Sequence, residues 1–300
     1  MKNVGQSSII PFSVACMGIA TFAGMDAFMK GLSIELGVYN AMLWRTSIAL
    51  LMAATLFIVG RKSWPSNSSI RVHVWRGVIT SVMAFLFFWG LIYIPLAEAI
   101  ALSFIAPLIA LYLAAVLLKE SIGGKAIWAS VIGLSGAVVI VAGKLSGEYD
   151  DSVGKGIAAI LVSAVLYAYN LILQRQQALI AEPIEIAFFQ NATVVMIYWC
   201  LAPFLAVVPS MSVVPELVVT AFLGIISTLM LSWAYARAEA KILIPVEYTA
   251  FIWAVILGWV MFAEQLSWQT LSGTALIVIG CLVASKQKNN HVDHIETTAI

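Results

Sequence analysis

The sequence predicts an all-α integral membrane protein, with ten transmembrane helices arranged as two inverted five-helix repeats. Three observations carry that expectation. Of 300 residues, 62% are apolar and 10% charged, against about 45–50% and about 25% in an ordinary soluble domain. Ten apolar runs, bounded by Gly, Pro or charge, suit a hydrocarbon core of about 30 Å, which takes about 20 residues of helix. A gapless shift of the chain over itself by 144 residues superimposes the five helix boundaries of one half on those of the other. That shift puts Trp89 on Trp233, Glu120 on Glu264 and Gly136 on Gly280, and sets Asp26 opposite Asn170. Five is an odd number, so the second half must enter the membrane upside down, as in many secondary transporters.

The runs place helices at 8–30, 38–60, 72–93, 95–118 and 124–143, then at 154–174, 183–207, 214–237, 242–263 and 268–285. The first, from about Ile9 to Met29, is longer than a signal-peptide core and lacks a cleavage site, so it is expected to stay as a membrane helix. The second carries the embedded Arg45. The third presents Phe85, Phe88 and Trp89 at helical spacing, a face continued by Ser81 and Ile92. Pro107 should kink the fourth and free a carbonyl for a cavity, and Pro245 does the same near the start of the ninth. Gly133 and Gly136 on the fifth helix, like Gly273 and Gly280 on the tenth, suit close helix packing.

The sixth helix carries Asn170, the seventh Gln190 and Asn191, the eighth Trp233, and the ninth Glu247 and Tyr248. The two repeats thus span 8–143 and 152–286, and 287–300 forms a polar, disordered tail. With both termini in the cytoplasm, twelve basic residues fall on that side and three, Lys30, Lys144 and Lys155, outside. Cysteines introduced at Ser66 and Asp150 should therefore label from opposite faces.

The same inventory excludes several functions. A formal charge of +1 offers no basic surface for nucleic acid. Cys16, Cys200 and Cys281 sit inside apolar runs as packing thiols. Gly133-Leu134-Ser135-Gly136 matches a short serine-protease motif, yet the histidines are His73, His291 and His294, none expected within reach of Ser135. An intramembrane aspartyl enzyme needs two carboxylates in one site, and Asp26 is the sole embedded aspartate. His291-Val292-Asp293-His294 makes a poor metal site on a flexible end, and no Walker-type phosphate loop occurs. No enzyme activity, cofactor or metal is expected.

Pro95 through Ser103, Pro107, Leu117, Leu118, Lys119 and Glu120, followed by Gly133 and Gly136, resembles the fourth and fifth helices of the EamA family in the drug/metabolite transporter superfamily. Residues 245–280, with Gly258, Glu264, Gly273 and Gly280, are similar to the same pattern again, and the Trp44-Arg45 pair resembles the family's second-helix arginine. Lys119 and Ala263 stand where the family usually has Gly before the Glu, and Phe251 stands at the mate of Pro107. The resemblance covers about residues 8–286 and implies a ten-helix exporter or exchanger of small metabolites, amino acids prominent among them.

Charges within a bilayer invite a functional reading. Asp26, Arg45 and Glu98 share the outer leaflet, where Asp26 and Arg45 either form a structural ion pair or face a cavity and bind substrate or proton. Asn170, Gln190, Asn191 and Glu247 form a second set in the inner leaflet. Two such sets around a midplane cavity are what alternating access requires. The expected substrate contacts are Trp89, Trp233, Phe85, Glu98, Asn170, Glu247 and Tyr248, with Asp26, Arg45, Gln190 and Pro107 in gating or coupling. The expected protein is an inner-membrane secondary transporter of a small polar or zwitterionic metabolite, working outward, surrounded by lipid and monomeric. The alternative is a channel-like or lipid-handling protein whose polar groups only hold helices together.

Overall fold

The computed structural model describes residues 9–60, 64–106, 108–110, 113, 124–145, 151–238, 243 and 246–285. Among them the regular elements are α-helices: α1 Ile9–Leu36, α2 Val38–Val59, α3 Asn67–Leu91, α4 Leu96–Ser103, α5 Gly124–Leu145, α6 Asp151–Ile180, α7 Pro183–Leu205, α8 Val214–Arg237, α9 Thr249–Phe262 and α10 Trp268–Ser285. Six of them, α1, α2, α3, α6, α7 and α8, are long and apolar enough to cross a membrane. The expected Pro107, Glu120, Asp150 and Pro245 and the tail from 287 lie outside the described residues, as do the surroundings of Gly280.

Local chemistry accounts for the boundaries. Gly37 has φ 75, in the left-handed region open to glycine, and lets α1 reverse directly into α2. Ser66 caps α3 by accepting the Ser69 N–H, so that helix starts five residues earlier than expected. Pro183 opens α7 in the first turn, where no N–H is needed. The run expected as one fourth helix breaks into a turn at Phe104 after the eight residues of α4. The ends of α1 and α6 each run six residues further than expected, to Leu36 and Ile180. Lys30 is therefore embedded in α1, and Asp26 stands ten residues, roughly 15 Å, from the helix end.

Small residues allow close helix approaches. Gly90 of α3 lies against Gly156 and Ile160 of α6, where a Cβ would stand 2.7 Å from the Gly156 carbonyl. Gly136 of α5 likewise meets the Gly273 backbone of α10. On α2 and α7, Phe57 stacks on Phe188 at 4.9 Å and Trp44 meets Trp199 edge-on.

These contacts come in matched sets when α1–α5 are exchanged for α6–α10. The α1/α8 pair corresponds to α3/α6, α2/α8 to α3/α7, and α1/α9 to α4/α6, while α2/α7, α4/α9 and α5/α10 map onto themselves. The α5/α10 pair stands to one side, and the other eight helices enclose the centre.

Candidate functional site

A cavity of about 160 Å³ opens between α1–α4 and α6–α9. Its walls are largely apolar, with Phe22, Met25, Met42, Met83, Phe87, Phe88 and Phe104 among them. Into this setting project Asp26 from α1, Arg45 and Thr46 from α2, Tyr167 from α6, Gln190 and Asn191 from α7, and Glu247 just before α9. The lining obeys the 144-residue offset: Thr46 and Gln190, Ala23 and Tyr167, Ala84 and Thr228, and Ser103 and Glu247 are mates, and both members of each pair face the space. Phe104 and its mate Tyr248 touch edge-on at 5.1 Å.

Three polar atoms on this wall have no hydrogen-bond partner: Asp26 Oδ1, Arg45 Nε and Gln190 Oε1. The Arg45 terminal nitrogens reach only the sulfurs of Met25 and Met42, at 3.7 and 3.9 Å. Asp26 is 2% exposed, yet it is absent from the ion pairs formed among the described residues, which are Lys30 with Glu264 and His73 with Glu185. Buried polar groups are normally paired, because an unmade bond costs about 1–3 kcal/mol. Three of them around one space leave donors and acceptors open for a ligand. Glu247, by contrast, is held on both oxygens: the Tyr167 hydroxyl donates at 2.9 Å and the Tyr235 hydroxyl at 3.2 Å.

Beyond the cavity, polar clusters join the helices at the two opposite ends of α3. At its C-terminal end, Lys30 pairs with Glu264 and donates to the Ile94 carbonyl at 2.9 Å, while Glu264 accepts the Leu96 N–H at 2.8 Å. Glu98 accepts from Thr270 at 3.1 Å close by. At the N-terminal end, the Arg76 guanidinium donates to the side-chain carbonyls of Asn170, Gln174 and Gln177. His73 bonds Glu185 and Gln177 there, and Arg175 donates to the carbonyls of Tyr235 and Ala238. Ala238 is the mate of Ile94, so a basic residue near the end of α1 and another near the end of α6 hold equivalent carbonyls.

Of the residues singled out from sequence, the structure brings Asp26, Arg45, Phe88, Gln190, Asn191 and Glu247 to the cavity. It places the other expected site residues elsewhere. Phe85 and Trp89 are half-buried off the wall, with Trp89 packed on Tyr93 at 5.0 Å. The cavity face of α3 is instead Thr80, Met83, Ala84, Phe87 and Phe88. Trp233 lies under the Arg237 guanidinium, 4.1 Å from its ring centre. Glu98 and Asn170 belong to the end clusters, and Tyr248 packs on Phe104 beside the wall. Pro107 lies outside the described residues. The Ser135 hydroxyl donates to the Ile132 carbonyl, an ordinary intrahelical bond.

The sequence model of the EamA-like transporter family matches residues 10–142 and, separately, residues 154–286. The chain belongs to the EamA-like transporter family. Its EamA-like relatives include the pseudopaline exporter CntI of Pseudomonas aeruginosa, strain UCBPP-PA14, 26% identical over 92% of this chain and 95% of the exporter. The riboflavin transporter of Brucella anthropi is 24% identical over 81% of this chain and 86% of its own. The S-adenosylmethionine uptake transporter of Rickettsia prowazekii is 21% identical over 93% and 94%. A solved crystal structure superposes with a TM-score of 0.60 at 20% identity, covering 94% of this chain and 97% of its own, which speaks to the fold alone. With six helices long and apolar enough to span a membrane and this family, the chain is a multi-pass membrane protein of a transporter family, a family that points away from enzymatic activity.

Proposed function

We propose that this EamA-like chain is a secondary transporter that carries a small zwitterionic metabolite, an amino acid or a similar compound, out of the cytoplasm by alternating access. The observation that carries the reading is the pair of opposite charges on the cavity wall, each with a polar atom that makes no hydrogen bond. Asp26 offers a carboxylate to a substrate amine, and Arg45 offers a guanidinium to a substrate carboxylate, both within an apolar surround where each interaction is strengthened. Gln190 and Asn191 orient the ligand, and Phe87, Phe88 and Phe104 cover its apolar part.

Alternating access draws support from the matched helix contacts, the paired lining residues and the two family matches, which together favour five-helix repeats of opposite orientation. The end clusters supply two separable closures. The distribution of basic residues favours cytoplasmic termini, and the bundle of apolar helices supports a place in the inner membrane. Outward movement of a small polar solute is in keeping with the pseudopaline exporter among the relatives.

The test is counterflow in proteoliposomes across a panel of zwitterionic amino acids. Saturable exchange of at least one is expected, lost in Asp26→Asn and in Arg45→Gln. Trp89→Ala and Trp233→Ala, off the wall, should exchange close to the parent. Conduction without exchange would instead identify a channel, and exchange confined to solutes lacking an amine or a carboxylate would remove the zwitterion reading.

A further inference from the structure

At the N-terminal end of α3, away from the cavity wall, one cation fixes the direction of a whole hydrogen-bond chain. Arg76 carries donors and no acceptor, so the Gln177 atom that faces it is the side-chain carbonyl oxygen. The other end of that amide, the Nε2 donor, points at His73 Nδ1, which therefore accepts with a lone pair. His73 Nε2 then carries the hydrogen and donates to the Glu185 carboxylate at 2.9 Å. The ring is neutral and held in one tautomer. Phe189 stacks on it at 5.2 Å with 12° between the planes, which keeps it in this orientation.

We infer that His73 is an acidity sensor set into this end of the bundle: a proton taken up by its ring loosens α6 from α3 and favours opening of the cavity on that side. The side is the cytoplasm in the orientation proposed above, and the effect on the cavity rests on the transport reading. The link between α3 and α6 stands without it.

The chain has no second arrangement that satisfies every member. A proton from water adds to the Nδ1 lone pair, giving an imidazolium with N–H at both nitrogens and changing no other covalent bond. Nδ1–H then faces the NH2 of Gln177, donor against donor. Turning the amide over would satisfy the ring, but it sets that NH2 against the Arg76 guanidinium instead. His73 and Gln177 are fully buried and Arg76 nearly so, which leaves no water to repair the missing bond.

The charged groups that face His73 among the described residues are Glu185 from α7 and Arg76, one turn along its own helix. From α6 come the amides of Gln174 and Gln177, which are neutral. An imidazolium one turn from the guanidinium adds repulsion between like charges, while its bond to Glu185 becomes an ion pair. Protonation thus weakens the hold of α3 on α6 and strengthens its hold on α7. Acid favours whichever arrangement binds the extra proton, and that is the one with Gln177 withdrawn.

Pulsed electron spin resonance on the full chain in proteoliposomes, with no substrate, tests the inference. Spin labels on Val74→Cys of α3 and Leu179→Cys of α6, both exposed positions, report the separation of the two helices. Lowering the pH from about 8 to about 5, the range in which histidine changes charge, should lengthen that separation in the parent. His73→Gln keeps one donor and one acceptor but does not titrate, so its separation should not respond. In Gln177→Glu the ring lies between two carboxylates, for which a neutral imidazole has one hydrogen to give and an imidazolium two. The response should therefore reverse, the helices drawing together in acid. If His73→Gln does not insert, the reversal in Gln177→Glu decides alone. A parent separation that ignores pH, an undiminished response in His73→Gln, or a response of unchanged sign in Gln177→Glu would overturn the inference. Because no solute is present, failed counterflow would count against the transport reading and not against the His73 link.

Discussion

The helices are cross-linked at the two ends of the molecule by different chemistry. At the C-terminal end of α3 the cross-link centres on one ion pair, Lys30 with Glu264, joining α1 to the segment between α9 and α10 and borrowing the Ile94 carbonyl and the Leu96 N–H from the α3/α4 connection. At the N-terminal end the Arg76 cation is surrounded by three amides, and the bonds spread over α3, α6 and α7 through His73 and Glu185. One end concentrates its cross-links in a single charged contact. The other distributes them among neutral acceptors. The positions are nevertheless related, since Lys30 and Arg175 hold the mate carbonyls of Ile94 and Ala238.

That contrast can be broken most forcefully at Glu264. In Glu264→Gln the Lys30 ammonium stays buried with its main partner neutralised, and removing one member of a buried pair costs about 3–5 kcal/mol. Thermal unfolding of the solubilised protein should register a loss of that order, and the double replacement Lys30→Met with Glu264→Gln should recover most of it. An additive double mutant would mean that the two side chains act separately.

Arg76→Met at the opposite end should cost less, about 1–3 kcal/mol. It removes three hydrogen bonds but no counter-charge, because the acceptors described around Arg76 are amides that can pair with one another. Measured alongside Glu264→Gln, a larger loss for Arg76→Met would reverse the ranking of the two ends.

Arg175→Gln comes next, with about 0.5–1.5 kcal/mol expected from the bonds to Tyr235 and Ala238. Its more telling readout is access. Cysteines placed along α8 near Tyr235 should label faster from the Arg175 side, while labelling at the Lys30 side stays unchanged. Faster labelling on both sides would show that the two sets of cross-links are not independent.

The smallest effect is expected at Ala263. It caps α9 in the left-handed region, with φ 52, the one such non-glycine residue among those described, immediately before Glu264. Left-handed backbone strains a residue bearing a Cβ by about 1–2 kcal/mol, and glycine recovers part of that at an entropic cost. Ala263→Gly should therefore stabilise by less than about 1 kcal/mol, seen as a small rise in melting temperature with the Lys30 contact intact. The family's usual glycine at this position, noted from the sequence, now has a conformational reason. Gly258 has another, since a Cβ there would stand 2.5 Å from the Glu264 carboxylate.

Much of the candidate site was legible because ionisable and amide residues stand out in an apolar run. Asp26, Arg45, Gln190 and Glu247 could be picked from sequence for that reason alone, and all four line the cavity. Aromatic residues carry no such signal in a chain this apolar. Periodicity groups Phe85, Phe88 and Trp89 on one stripe of α3, but it does not say which stripe meets the cavity, and the face turned inward runs through Thr80, Met83, Ala84 and Phe87, with Phe88 the one member of the expected stripe on it. The resemblance of Trp89 and Trp233 as repeat mates also misleads as to site, because Trp233 is covered by Arg237 and Trp89 by Tyr93. Tyr235, which holds Glu247, offered no cue at all until α8 was packed beside it.

Composition and run length alone were enough to establish a helical membrane protein with helices close to their observed places, because hydrophobic transfer acts on each segment independently of its neighbours. The 144-residue offset pairs several of the residues that line the cavity, Thr46 with Gln190 and Ser103 with Glu247 among them. Partner choice depended on the folded chain. Asp26 and Arg45 invited pairing with each other by depth, yet Asp26 stays unbonded at the cavity while Lys30 takes Glu264, more than two hundred positions away in sequence. Depth in a membrane is a one-dimensional quantity that a helix boundary supplies. Whether two side chains at one depth meet depends on helix rotation and crossing, which small-residue contacts such as Gly90 on Gly156 set between segments distant in the chain.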